Sequence, residues 1–197
     1  MSTNNNQKSE RKFNGILILA VASGLMFTAT FILPFFVKQD YSIAGDTISE
    51  LGAQHSPSAW IVNSLLFILA IASVVAGWRS FSGFLFHRTI LVLFGISLML
   101  MALFNHAPVS TEICYINREA GWHTYFASTS VLTFIILAFA TALIQDKQSD
   151  RFLSVLTGLS AILISILMSE AKVLDGAWQK LFFIISSGWM IYSFRQQ

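Results

Sequence analysis

The sequence predicts an all-α integral membrane protein, a six-helix bundle with both termini in the cytoplasm. Three observations carry that prediction: scarce charge, long charge-free runs, and an uneven distribution of basic residues. Only 11% of the 197 residues are charged and 55% are hydrophobic, whereas a soluble domain carries about 25% charged residues. The charges are also segregated. Runs without Asp, Glu, Lys or Arg occupy 14–37, 60–78, 89–104, 124–145, 152–169 and 181–194. Crossing about 30 Å of hydrocarbon at about 1.5 Å per residue takes about 20 residues, so each run reads as one helix, the shorter ones lengthened by their flanks. An unpaired backbone group in lipid costs several kcal/mol, which leaves helices as the open-chain solution.

In chain order, residues 1–13 are polar and read as a disordered cytoplasmic tail. The apolar run that follows is longer than a signal-peptide core and lacks a small-residue cleavage site, so it reads as a retained first span over 14–37. Further spans are expected near 60–78, 88–107, 122–145, 152–172 and 177–195, giving one transmembrane domain over 14–195. The connections at 79–88 and 145–151 are short, which makes the helices they join antiparallel neighbours. Small residues four apart (Ser73 and Gly77, Ala138 and Ala142, Ser154 and Gly158, Ala161 and Ser165) suit close helix contacts in lipid. Each of the other three connections ends in a small residue and a tryptophan (Ala59-Trp60, Gly121-Trp122, Ala177-Trp178), as an aromatic belt at a membrane boundary would.

Orientation follows from Lys and Arg. With the N-terminus inside, eight of the 12 basic residues (Lys8, Arg11, Lys12, Arg79, Arg88, Lys147, Arg151 and Arg195) lie on the cytoplasmic side. Lys38, Arg118, Lys172 and Lys180 lie outside, an asymmetry that favours this topology in the cytoplasmic (inner) membrane. Seven of the ten acids (Asp40, Asp46, Glu50, Glu112, Glu119, Glu170 and Asp175) fall on the outer side. The basic residues follow the rim, so lipid is the expected partner and nucleic acid is not. Cys114 is the only cysteine, which excludes an internal disulfide.

The segment from Asp46 to Trp60 is the most polar part of the chain between spans. Thr47 and Glu50 have capping-box spacing, Gly52 is placed to end the resulting turn, and Ser56-Pro57 reads as the N-cap and first residue of the second span. Those roles leave Asp46 and His55 unexplained and Glu50 explained only in part. His55, His106 and His123 all lie at outer ends of spans, while His87 falls at the inner interface. Counting helical residues from Arg88 and Arg151 brings Asn105, His106 and Glu170 to hydrocarbon depth, where an ionisable group costs about 2.5–3.5 kcal/mol and is a functional candidate by default. Glu119 and His123 are four apart, one above the other on a helix, and Asp46 and Glu50 share that spacing. A carboxylate beside an imidazole can orient the ring and raise its basicity. The ordinary alternative is that polar helix ends gather at every membrane interface without forming a centre.

Asp-Thr-Ile-Ser-Glu-Leu-Gly (46–52), Ser-Pro-Ser-Ala-Trp (56–60) with Asn63, Phe-Asn-His-Ala-Pro (104–108) and Glu-Ala-Gly-Trp-His (119–123) resemble the recurrent segments of a bacterial and archaeal membrane family, domain of unknown function 998. The resemblance covers nearly the whole chain after the tail. It implies a six-span fold and no established activity.

Three functions fit this polar layer. The first is a metal-dependent, lipid-directed hydrolase-like site, with His55, His106, His123 and Asp46 as ligands and Zn²⁺ as the metal. Ser49, Glu50, Glu119 and Glu170 would be its catalytic groups. Neither HExxH nor HxxxH occurs, so such a ligand set is dispersed along the chain. The second is non-enzymatic: binding or transport of a lipid or small solute, or a sensor. The third is electron transfer through a haem or quinone held by His106 and His123, a weaker fit because the histidines at one membrane side leave room for one haem at most.

Overall fold

The computed structural model describes residues 2–37, 41–110, 113–170 and 172–196, with side chains over 14–37, 41–110, 113–170 and 173–196. Lys38, Asp40 and Glu112, counted above among the outer charges, lie outside the described residues. The described chain is all-α. Helix α1 (Ser2–Ile32) runs into a 3₁₀ turn (Leu33–Phe36) and is followed by a short helix α2 (Ile48–Leu51). Five more long helices follow: α3 (Ala59–Ser80), α4 (Leu85–Leu103), α5 (Asn117–Ile144), α6 (Gln148–Glu170) and α7 (Asp175–Gln196). The span-like part of α1 starts at Asn14; the stretch upstream, expected as a tail, continues the same helix back to Ser2.

Neighbours in sequence are neighbours in space from α3 to α7, and α1 packs on both α3 and α7. The six long helices therefore close a ring. Phe134 of α5 lies in its interior, fully buried, with its ring against Phe94, Phe182 and Trp189. Small residues let neighbours approach, as their spacing predicts: Ser154, Gly158 and Ala161 of α6 are buried, and the Phe139 ring lies directly over Gly158. On the outside, Val21, Leu25, Ile68, Leu93, Leu132 and Leu163 are exposed on five different helices. Leaving one such side chain in water costs about 1.5–3 kcal/mol, so a belt of them calls for hydrocarbon as solvent.

Five helices are long and apolar enough to cross a membrane: α1, α3, α4, α5 and α6. The run expected as a sixth span forms α7 and packs into the ring, but falls short in composition. Gln179 and Lys180 stand near its start, and Ser186, Ser187 and Ser193 along its buried face. Gln179, Lys180 and Ser193 bond to other elements of the bundle. At the end away from α2, Trp189 Nε1 donates to Ser154 Oγ (3.0 Å), which donates to Gln145 Oε1 (2.8 Å), whose amide donates to Ser193 Oγ (3.2 Å).

Candidate functional site

The other end of the ring is built by two irregular segments, the first over 41–58 and the second, among the described residues, over 104–110 and 113–116. In the first, the expected capping box forms. Thr47 accepts from the Glu50 amide, and Glu50 Oε2 accepts from the amide and hydroxyl of Thr47. The start of α3 differs from expectation, beginning at Ala59 rather than after Ser56. The Ser56 and Ser58 hydroxyls turn back and donate to the Leu51 carbonyl (3.0 and 2.6 Å), satisfying the end of α2 instead of capping α3. α7 fastens this segment down. Lys180 Nζ donates to the carbonyls of Asp46 (3.0 Å) and Gly176 (3.3 Å), and the amides of Gly176 and Ala177 donate to Gly45 and Ala44. The fit at Gly176 admits no side chain, because a Cβ there would stand 2.0 Å from the Asp46 carbonyl oxygen. Tyr41 donates to the carbonyls of Asp46 and Thr47, and its burial, helped by the nearby carboxylates of Asp46 and Glu50, raises its pKa.

The second segment is tied to the first. Gln54 takes the place of a strand partner: its amide donates to the His106 carbonyl, and its side chain exchanges hydrogen bonds with the backbone of Ile116 (2.8 and 3.1 Å). Asn63 of α3 donates to Asn105 Oδ1 (2.6 Å), and Glu119 Oε1 accepts from both the backbone and side-chain amides of Asn105 (2.8 and 2.9 Å). His123, one turn further along α5, points its Nδ1 at the carbonyls of Met101 (3.0 Å) and Phe104 (2.7 Å). Glu119 and His123 thus share a helix face as predicted, but each secures the end of α4 rather than the other. The ring of His123 is oriented by carbonyls, and the Glu119 oxygen that faces this end is taken by Asn105.

Beneath these segments lies a cavity of about 690 Å³, within the range of about 300–1,000 Å³ usual for ligand sites. Its walls are mainly apolar, with Leu66, Leu98, Phe182, Phe183 and Met190 among them and Ser130, Ser165, Ser186 and Ser187 between; Thr47, Ser49, His106, His123, Asp175 and Gln179 make a polar end. The His106 and His123 rings meet edge to face with centroids 5.1 Å apart. His123 is 1% exposed and its Nε2 is buried without a hydrogen-bond partner; the Ser187 hydroxyl, also on the cavity wall, is likewise unpartnered. Ser49 is buried and accepts a hydrogen bond from Gln179 (3.3 Å). Leu132 of α5 and Ile162 and Ile166 of α6 line the cavity yet are exposed on the outside of the ring, so it opens laterally between these two helices.

Of the residues predicted from sequence, His106, His123 and Ser49 come to this cavity. The others lie apart. His55 is exposed on a turn, with φ +64°; Asp46 accepts from the Ser42 amide (2.6 Å); Glu50 is occupied by its capping box; Glu170 is exposed at the end of α6. Among the described residues, no three His, Cys, Asp or Glu side chains gather closely enough to hold a metal ion. His87, expected at an interface, is buried among the rings of Phe81, Phe84 and Phe86 with both nitrogens unpartnered. Gln54, Gln179 and Lys180 escaped the sequence reading. Their signal is the same as for the histidines, a polar side chain beside an apolar run, and Lys180 enters the sequence reading only as a basic residue of the outer side.

A protein-family model described as protein of unknown function (DUF998) matches residues 20–195. No curated protein and no solved structure matches the chain.

Proposed function

The chain belongs to the DUF998 family, to which no activity is attached, and on that premise we propose that this multi-pass membrane protein binds a single-chain amphiphile. The tail lies in the apolar cavity and the polar head meets His106, His123 and Ser49. The observation that carries this reading is the cavity itself, a volume of about 690 Å³ with apolar walls and, at one end, an imidazole nitrogen buried without a partner. A buried polar atom left unpaired costs about 1–3 kcal/mol, and a ligand head would recover it. The lateral opening supports entry from the bilayer. α5 and α6 press together where Phe139 covers Gly158, while Leu132, Ile162 and Ile166 both line the cavity and stand exposed. Capture is favoured over hydrolysis because Glu50 and Glu119, two of the nominated catalytic groups, hold backbone amides, and Glu170, the third carboxylate, is exposed at the end of α6.

The reading is tested by equilibrium binding of a radiolabelled monododecanoylglycerol to the protein in lipid nanodiscs. Ile162→Trp, which puts an indole in the lateral mouth, is expected to weaken saturable binding by about tenfold or more, with the melting temperature unchanged. Saturable binding equal to wild type in that variant, or none in the wild type, would overturn the proposal.

A further inference from the structure

The hydrogen-bonding groups at the polar end of the cavity specify the head they would meet. At His123, Nδ1 faces two carbonyl oxygens, at 3.0 and 2.7 Å. Carbonyls only accept, so the proton sits on Nδ1 and Nε2 presents a lone pair. A proton on Nε2 as well would bury a charged ring with an N–H that finds no acceptor. His106 points its Nδ1 at the Ala107 carbonyl, 2.8 Å away, so in the neutral ring Nε2 is left as an acceptor. Two imidazoles in edge contact therefore offer lone pairs and no proton of their own. Ser49 complements them: its oxygen already accepts from the Gln179 amide, so its O–H is the part left to donate.

We infer that this end of the cavity selects an amphiphile with a neutral hydroxyl head, which donates to an imidazole Nε2 and accepts from Ser49. A carboxylate or ionised phosphate can only accept, so it leaves the imidazole lone pair unmet and brings a negative charge among mainly apolar walls. The inference rests on the amphiphile-binding reading above and names the head group that reading leaves open.

The experiment compares dodecanol, its methyl ether and dodecanoate, each as a competitor of labelled monododecanoylglycerol in nanodiscs. The ether keeps the chain and the oxygen but has no proton to give. Dodecanol is expected to bind about tenfold more tightly than the ether, the scale of one donor lost to a buried acceptor, and more tightly than dodecanoate. That preference should shrink to about twofold or less in His123→Phe. Because His123 also secures the end of α4, His106→Phe is made in parallel and should shrink it as well. Equal binding of all three probes would overturn the inference and leave amphiphile binding standing, whereas absence of saturable binding by any probe would remove both. Tighter binding of dodecanoate, or zinc retained in stoichiometric amount by the wild type and lost in His123→Phe, would also overturn it.

Discussion

Glu119, in the first turn of α5, illustrates how a carboxylate beside an apolar run can be engaged by amides of the chain. Its Oε1 accepts from the backbone and side-chain amides of Asn105, where α4 has ended and the chain turns away. Those amides are part-buried, and an anionic acceptor bonds them more strongly than a neutral one. Glu119→Gln keeps an oxygen in the same place, so we expect it to cost about 1 kcal/mol or less, whereas Glu119→Ala strands two donors and costs about 1–3 kcal/mol. Thermal unfolding in detergent measures both. If Glu119 instead served as a general base or metal ligand, the glutamine variant would unfold like wild type and abolish ligand turnover or metal retention, which separates the two roles. The site was legible only in part at this scale. Histidines and carboxylates at span ends are visible in a sequence, but which of them a carbonyl or amide already occupies depends on backbone geometry. His106 and His123 are 17 positions apart and meet only because α4 and α5 form a tight antiparallel pair.

At the scale of elements, α2 and its flanks form a cover over one end of the ring, held by α7. The capping box was readable because its partners are three residues apart and the bond is local. The start of α3 was not, since the hydroxyls of Ser56 and Ser58 bond a carbonyl five and seven residues upstream, a competition that local pattern does not rank. Tyr41 gives this cover a pH dependence. Its phenol is held above the ordinary tyrosine pKa of about 10 by burial and by the nearby carboxylates of Asp46 and Glu50. A group bound more tightly to its proton when folded contributes stability in full below the unfolded pKa and loses it as pH rises through the folded one. The melting temperature is therefore expected to fall as pH rises above about 10. Tyr41→Phe, which forfeits the hydrogen bonds to the Asp46 and Thr47 carbonyls, should melt lower by about 0.5–1.5 kcal/mol of stability at neutral pH and show a flatter alkaline limb. Scanning fluorimetry between about pH 8 and 11 decides it; parallel limbs in the two proteins would remove Tyr41 as the cause.

For the whole molecule, the membrane class and the helix order were legible because lipid imposes them: about 20 apolar residues per span and no unpaired backbone. Ring closure was not, since it depends on α1 meeting α7 across nearly the full length of the chain. α7 is also where composition and packing diverge. Averaged hydropathy counts Ser186, Ser187 and Ser193 against a span, yet these face inward, where Gln145 meets Ser193. α7 packs against α1 and α6, both apolar enough to span, and touches α3 as well. We therefore expect six crossings, and the chain's single cysteine makes that testable. Cys114 is exposed in the segment between α4 and α5; with a cytoplasmic N-terminus the three crossings before it put it outside, and a total of six puts the C-terminus inside. A membrane-impermeant maleimide should label Cys114 in intact cells, while a C-terminal tag stays protected from added protease until the membrane is opened. Labelling of Cys114 together with digestion of the tag in intact cells would mean that α7 does not cross. Labelling only after permeabilisation, with the tag digested from outside, would keep six crossings and invert the molecule.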